Sequence, residues 1–284
     1  MSAALASEED AATPAKPFVR WVGGKAKLVP ELLKFVPTAY HTYRECFLGG
    51  GALFFTLQPP RATLSDSNAE LIHAYTTVRD QHMALIVLLQ QIETAHSKEH
   101  YYFVRGLDPR TLDSVARAAH LIYMNKAAFN GLYRVNRKGQ FNVPWDPDRK
   151  TIADEDTIAR AHDALAGLPD RQKACLLAHD FRQVEHAAIE GDFVYADSPY
   201  VPVSTTANFT SYTTEGFTHK DQVDLRDMAL RLKRRGVHVL LSNSASPIVE
   251  QLYAKDFELH PVERQGTMNS KASKRGAVKE YIIR

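Results

Sequence analysis

Apolar and polar positions along the chain follow two periods. Over residues 68–95, Leu71, Ile72, Tyr75, Val78, Leu85, Ile86 and Leu89 recur on one stripe, and this spacing predicts a long amphipathic helix. Shorter stripes predict helices over residues 26–35, 101–106, 112–129, 158–168, 225–235 and 247–253. Compact apolar runs bounded by turn residues predict strands just before the glycine run at 49–51 and over 62–66, 174–178, 193–196, 237–243, 257–262 and 278–283. The run Phe193-Val194-Tyr195-Ala196 has no polar interruption, as expected of a central strand buried on both faces. Strands and helices alternate except across a helical block, which reads as an insertion. The fold class is therefore α/β. Its expected layout is a tail over 1–16, a sheet domain over 17–68 and 156–284, and an inserted, mostly helical domain over 69–155. A β-hairpin near 130–145 is signalled by Asn130-Gly131 and Lys138-Gly139.

Composition narrows the function classes. A chain of 284 residues with 44% hydrophobic and 24% charged residues can bury a sizeable core. The net charge is only +2, so any polyanion surface must come from local clustering of Lys and Arg. Cys46 and Cys175 form no C-x-x-C pair, and the twelve histidines show no metal-ligand spacing, so no metal site is expected. No apolar run reaches the roughly 18 residues of a membrane helix. Residues 1–15, rich in Ala, Ser and acids, read as a disordered lead-in without the pattern of a secretory signal. A reducing, cytoplasmic setting follows as an expectation.

The candidate chemistry sits at strand ends. Asp197 ends the central run and is followed by Ser198, Pro199 and Tyr200, which join a fixed acceptor to a stiff turn and a flat stacking face. That set suits a nucleobase with an exocyclic amine, though it equally describes an ordinary Asx-type turn. Glu45 precedes the loop Gly49-Gly50-Gly51, and Asp66 ends the next strand, where an acid can reach ribose hydroxyls or cap the following helix. Asp180-Phe181 offers a further acceptor beside a ring, or an N-cap with a buried neighbour. Gly23-Gly24-Lys25 permits close backbone approach, but the spacing of a P-loop is absent. Arg134, Arg137 and Lys138 alternate with aromatics and Asn side chains at 130–145, a pattern able to read bases and hold phosphate. The polar loop at 201–216 could cover a ligand. The basic loop carrying Lys271, Lys274 and Arg275 could hold phosphate.

Taken in order, these motifs resemble the Dam-like, D12-class DNA adenine-N6 methyltransferases, the α-ordered amino-methyltransferases. Residues 18–25 (FVRWVGGK) look like that family's N-terminal cofactor motif. Residues 45–51 (ECFLGGG) are similar to its E-P-F-x-G-x-G loop, and Asp66-Ser67-Asn68 to its D-x-N motif. Residues 125–145 resemble its recognition hairpin, Asp180-Phe181 its adenine-contact pair, Asp197-Ser198-Pro199-Tyr200 its catalytic D-P-P-Y, and Ser242-Asn243 its S-N strand end. Cys46 stands where the family has proline, and Ser198 replaces the first proline of D-P-P-Y.

The resemblance implies a Rossmann-like methyltransferase sheet that uses S-adenosyl-L-methionine to methylate the amine of a flipped adenine in double-stranded DNA. It implies a cofactor pocket of Trp21, Lys25, Glu45, Phe47, Gly49, Asp66, Asp180, Phe181 and Asp197, with catalysis at Asp197, Ser198, Pro199 and Tyr200. It also implies DNA contacts by Arg20, Phe129, Asn130, Leu132, Arg134, Asn136, Arg137, Lys138 and Pro144. GATC is the first recognition sequence it suggests, although Arg20 stands where GATC enzymes often carry lysine. A monomer or weak dimer, bacterial or phage-encoded, is expected. Two alternatives stay open on the residues: N4-cytosine methylation, and a catalytically silent DNA-binding relative, which Ser198 would favour.

Overall fold

The computed structural model describes residues 14–136, 138–149, 151–199, 217–265 and 277–284, with backbone alone at 264, 265, 277 and 278. Seven strands lie among them: β1 (Tyr43–Glu45), β2 (Ala62–Asp66), β3 (Cys175–Ala178), β4 (Phe193–Asp197), β5 (His238–Ser244), β6 (Leu259–Gln265) and β7 (Ala277–Ile283). They form one sheet in the order β3-β2-β1-β4-β5-β7-β6. The first five run parallel, and β7 is antiparallel to both β5 and β6. The helices are α1 (Val29–Leu32), α2 (Ala52–Leu57), α3 (Ala69–Thr94), α4 (Lys98–Arg105), α5 (Ser114–Ala127), α6 (Glu155–Ala166), α7 (Val184–Ala187), α8 (His219–Arg234) and α9 (Pro247–Tyr253). None of them is long and apolar enough to cross a membrane.

β4 holds the centre of the sheet, as its unbroken apolar run predicts. Phe193 and Tyr195 join one buried cluster, while Val194 and Ala196 join another, so the period of two splits the strand between opposite faces. The first cluster joins Tyr43 and Leu64 of the sheet to Leu71 and Tyr75 of α3, Leu121 of α5 and Leu165 of α6. The second joins Val194 and Leu241 to Leu225 and Met228 of α8 and Tyr253 of α9. From β1 the chain passes outward to β2, whereas β4 leads to β5 on the other side. The β1–β4 boundary is thus the crevice at which open α/β sheets bind ligands.

Local chemistry sets the element ends. The Asn68 side chain accepts from Glu70 N and Leu71 N and starts α3, which kinks at Gln81 (φ −140°). The helix expected over 26–35 begins only at Val29, with Pro30 in its first turn, and ends as a 3₁₀ turn over Leu33–Phe35. The expected hairpin folds back without regular strands. Val135 bridges Phe141, Ala128 bridges Trp145, and Asn142 N donates to Arg134 O. Asn136 is the reason, because its Oδ1 accepts from Lys138 N and Gln140 N and draws the backbone into a side-chain-stabilised turn.

Candidate active site

Four acids reach one crevice because four parallel strands end there. Glu45 ends β1, Asp66 ends β2, Asp180 follows β3 and Asp197 ends β4. All four line a cavity of about 880 Å³ together with Trp21, Lys25, Phe47, Gly49, Phe181, Ser198 and Pro199. Every residue that the family resemblance implied for the cofactor pocket therefore faces one space. Arg20 also reaches its edge.

Each acid is held differently. Asp66 Oδ2 accepts from Gly49 N at 3.0 Å and its Oδ1 accepts from Asn68 N at 2.9 Å, so it ties the glycine loop to the start of α3. The cap itself is Asn68 and not Asp66. Burial raises the Asp66 pKa against the pull of those two amide donors. Glu45 is buried and accepts from Tyr43 Oη at 2.7 Å. Desolvation, opposed by that hydrogen bond and reinforced by the charges of Asp197 and Asp66, pushes its carboxyl up to about 8. Asp180 is half exposed, caps the next turn through Arg182 N and pairs with the Arg182 guanidinium at 2.9 Å. Phe181 stacks on Phe47 with centroids 5.2 Å apart.

Asp197 is the most constrained. Its Oδ1 lies 2.9 Å from Lys25 Nζ and accepts from Ser242 Oγ at 2.7 Å. Tyr195 Oη in turn pairs with Ser242 Oγ at 3.0 Å. Lys25 is buried, and its Nζ is also 3.7 Å from Glu280 Oε2 on β7. Burial raises the Asp197 pKa, with the Lys25 ammonium and the Ser242 hydroxyl pulling it back. Ser198 is buried, and its Oγ accepts from Gln222 Nε2 and Asn243 Nδ2, each at 3.3 Å.

The loops above the crevice need room. Gly49 has φ +48°, and an added Cβ would lie 2.8 Å from Trp21 Cδ1. Trp21 stacks on Tyr133 with centroids 5.3 Å apart, which joins the pocket rim to the turn region. Asn125, fully buried, completes that joint. Its Oδ1 accepts from Arg20 N, and its Nδ2 donates to Arg20 O and Gly131 O.

The residues implied for DNA contact surround this joint outside the cavity, Arg20 excepted. Phe129, Asn130, Arg134, Lys138 and Pro144 are exposed, while Leu132 and Asn136 are partly covered. Arg134 Nε donates to Asn142 Oδ1 at 2.8 Å. Asn130 holds a left-handed conformation at φ +58°. Tyr200 and Arg137 fall outside the described residues, as do the loops at 201–216 and 266–276. Gln222 and Glu280 were absent from the sequence reading of the site. The period of β7 does put Glu280 on the face of buried Ile282, the one signal that could have found it.

A sequence model of the D12 class of N6 adenine-specific DNA methyltransferases matches residues 21–268. The chain belongs to that family. Among curated relatives, a type II methyltransferase of Lactococcus lactis subsp. cremoris is 42% identical over 273 residues, covering 94% of each chain. The DNA adenine methylase of Vibrio cholerae is 32% identical over 268 residues, covering 93% of this chain and 94% of its own. The corresponding methylase of Escherichia coli K12 is 30% identical over 268 residues, with 93% of each chain covered. This D12 enzyme is thus an adenine-specific DNA methyltransferase, and the N4-cytosine alternative gives way to it. Among the described residues no group of three His, Cys, Asp or Glu side chains could hold a metal ion.

Proposed function

We propose that the crevice at the β1–β4 boundary binds S-adenosyl-L-methionine and that Asp197 and the Ser198 carbonyl accept hydrogen bonds from the target amine. The observation carrying this is the double hold on Asp197 Oδ1 by Lys25 and Ser242 at the cavity wall. The donor set fits the cofactor: Glu45, Asp66 and Asp180 supply carboxylates for a cation and its hydroxyls, and Phe181, Phe47 and Trp21 supply faces for a planar ring. When bound, the cofactor supplies an electrophilic methyl group on a sulfonium sulfur. An adenine amine is a poor nucleophile because its lone pair is delocalised into the ring. Accepting from both of its N–H groups draws the nitrogen toward a tetrahedral shape and exposes the lone pair. Positioning and preorganised charge supply the acceleration, with no covalent enzyme intermediate.

The target base must leave the duplex to reach Asp197. Tyr200 is the proposed stacking face for it. Residues 69–155 act as the recognition unit. Arg134 and Arg20 read bases, Phe129 wedges into the stack, Asn130, Leu132 and Pro144 line the contact, and Asn136 shapes the turn that carries Arg137 and Lys138 to phosphate. GATC is the first duplex to test, and the enzyme acts in a bacterial cytoplasm. Duplex DNA is incubated with methyl-labelled cofactor, digested and analysed for the labelled nucleoside. Label in N6-methyladenine is expected from the wild type. Asp197→Ala is expected to lose transfer by about 100- to 1,000-fold while cofactor affinity changes by less than about three-fold, consistent with the weight of one preorganised electrostatic contact. Near-normal turnover in that variant would overturn the mechanism.

A further inference from the structure

Ser198 lies in the turn between a catalytic strand and the loop that follows it, at a position where the family pattern has proline. Proline fixes its own φ and stiffens such a turn covalently. Serine does neither, yet this turn is packed rigidly. Gln222 Nε2 donates to Pro199 O at 3.0 Å and to Ser198 Oγ at 3.3 Å. Gln222 Oε1 accepts from Asn243 Nδ2 at 3.0 Å, and the same Asn243 amide reaches Ser198 Oγ. Asn243 Oδ1 is fixed by Ser244 N at 2.8 Å. Gln222, Asn243 and Ser198 are each at most 3% exposed, so the three form a buried polar network in which both amides converge on the Ser198 hydroxyl oxygen.

The elements that carry the network are rigid. Asn243 stands on β5, next to Ser242, which grips Asp197. Gln222 sits in the first turn of α8, whose start is locked by a capping box between Thr218 and Asp221. α8 is pinned from outside as well, through Arg182, which pairs with Asp221 and Asp224. The carbonyl of Pro199 is thereby clamped to a helix end.

We infer that Gln222 is a positioning residue for catalysis, supplying through hydrogen bonds the stiffness of the Asp197-Ser198-Pro199 turn that proline would otherwise supply covalently. Gln222 is not among the residues that line the cavity. It acts by keeping the Ser198 carbonyl at the angle from which it accepts from the amine. The inference rests on the assignment of Asp197 and Ser198 to the reaction centre, proposed above. It predicts a coupling in the methyl-transfer rate, at unchanged cofactor Kd and beyond any coupling in melting temperature: the catalytic need for Gln222 depends on what stands at 198.

The test is a double-mutant cycle of Gln222→Met and Ser198→Pro, with Asp197→Ala run beside it. Methionine keeps the length of the side chain and removes its donor. Single-turnover methylation is measured at saturating DNA and cofactor, with cofactor Kd and melting temperature recorded for each variant. In the serine background Gln222→Met is expected to slow methyl transfer at least about ten-fold, with cofactor Kd unchanged within about two-fold. In the proline background the same substitution is expected to cost less than about three-fold. An equal loss in both backgrounds, a loss confined to Kd, or no loss overturns the inference. If Gln222→Met does not fold, Gln222→Glu, which keeps the shape and removes the Nε2 donor, takes its place in the cycle. Asp197→Ala separates the two failures: if it retains turnover, the reaction centre is misassigned, and if it loses turnover while the cycle shows no coupling, only the role of Gln222 falls.

Discussion

A carboxyl held near pH 8 is protonated at neutral pH, and a neutral Glu45 cannot pair with a cation. With the cofactor placed as proposed, binding of a sulfonium amino acid beside it is expected to expel a proton. Cofactor affinity is expected to rise from pH 7 to pH 8 and to level off above, because only the carboxylate attracts the ligand. Calorimetry in buffers of different ionisation heats reads the released proton directly. Glu45→Gln should abolish both the release and the slope. Asp197 carries the opposite lesson, because its raised pKa is held down by Lys25. In the proposed mechanism the rate depends on the carboxylate, so activity is expected to be lost as pH falls through the Asp197 pKa. Lys25→Met removes the cation that favours ionisation, and the acid limb of the single-turnover pH profile should move to higher pH. A limb that stays in place would dissociate Lys25 from Asp197.

Among the elements, the joint between residues 18–25 and the turn region is set by Asn125. Asn125→Ala leaves the Arg20 and Gly131 backbone groups it serves without their partner, at about 1–3 kcal/mol for a buried group left unsatisfied. A fall of that size in denaturant stability is expected. Gly131→Ala should act otherwise. A Cβ there lies 2.6 Å from Arg20 Cδ and 3.2 Å from Arg20 Cβ, so the Arg20 side chain must shift, and φ is +66°. Its stability cost should be about 1 kcal/mol, with a larger effect on DNA discrimination, read by comparing cognate and altered duplexes. This is also the scale at which legibility in the sequence divides. β4 and Asp197 could be read because burial on both faces leaves an unbroken apolar run that a carboxylate visibly ends. The glycine loop and Asp66 could be read because they are adjacent to strands. Gln222 could not, since it is one polar residue in a polar helix, and its inward direction depends on how α8 docks against β5. Nor could the conformation of the turn at 136–142, where the Asn136 side chain outcompetes the ladder that the apolar spacing suggests.

Across the whole molecule, a net charge of +2 provides little general attraction to DNA, so binding must rely on local groups. Lys138→Ala, at the exposed turn, is expected to weaken binding similarly for all sequences and to lower the slope of log affinity against log salt by about one. Arg134→Ala should instead cost about 1–3 kcal/mol on the cognate duplex alone. Competition titrations at two salt concentrations distinguish the two outcomes.

The pairing of Lys25 with both Asp197 and Glu280 has a further consequence, in time. Lys25 emerges from the ribosome before Asp197, and Glu280 on β7 after both, yet the three meet around one ammonium. β7 also separates β5 from β6, so the edge of the sheet beside Asn243 closes only when it arrives. A nascent chain halted before β7 would carry the glycine loop and the central aspartate without their final neighbours. The contacts around Lys25 are thus complete only once β7 has been made, and chains halted before it, still tethered to ribosomes, should leave nearby DNA unmarked.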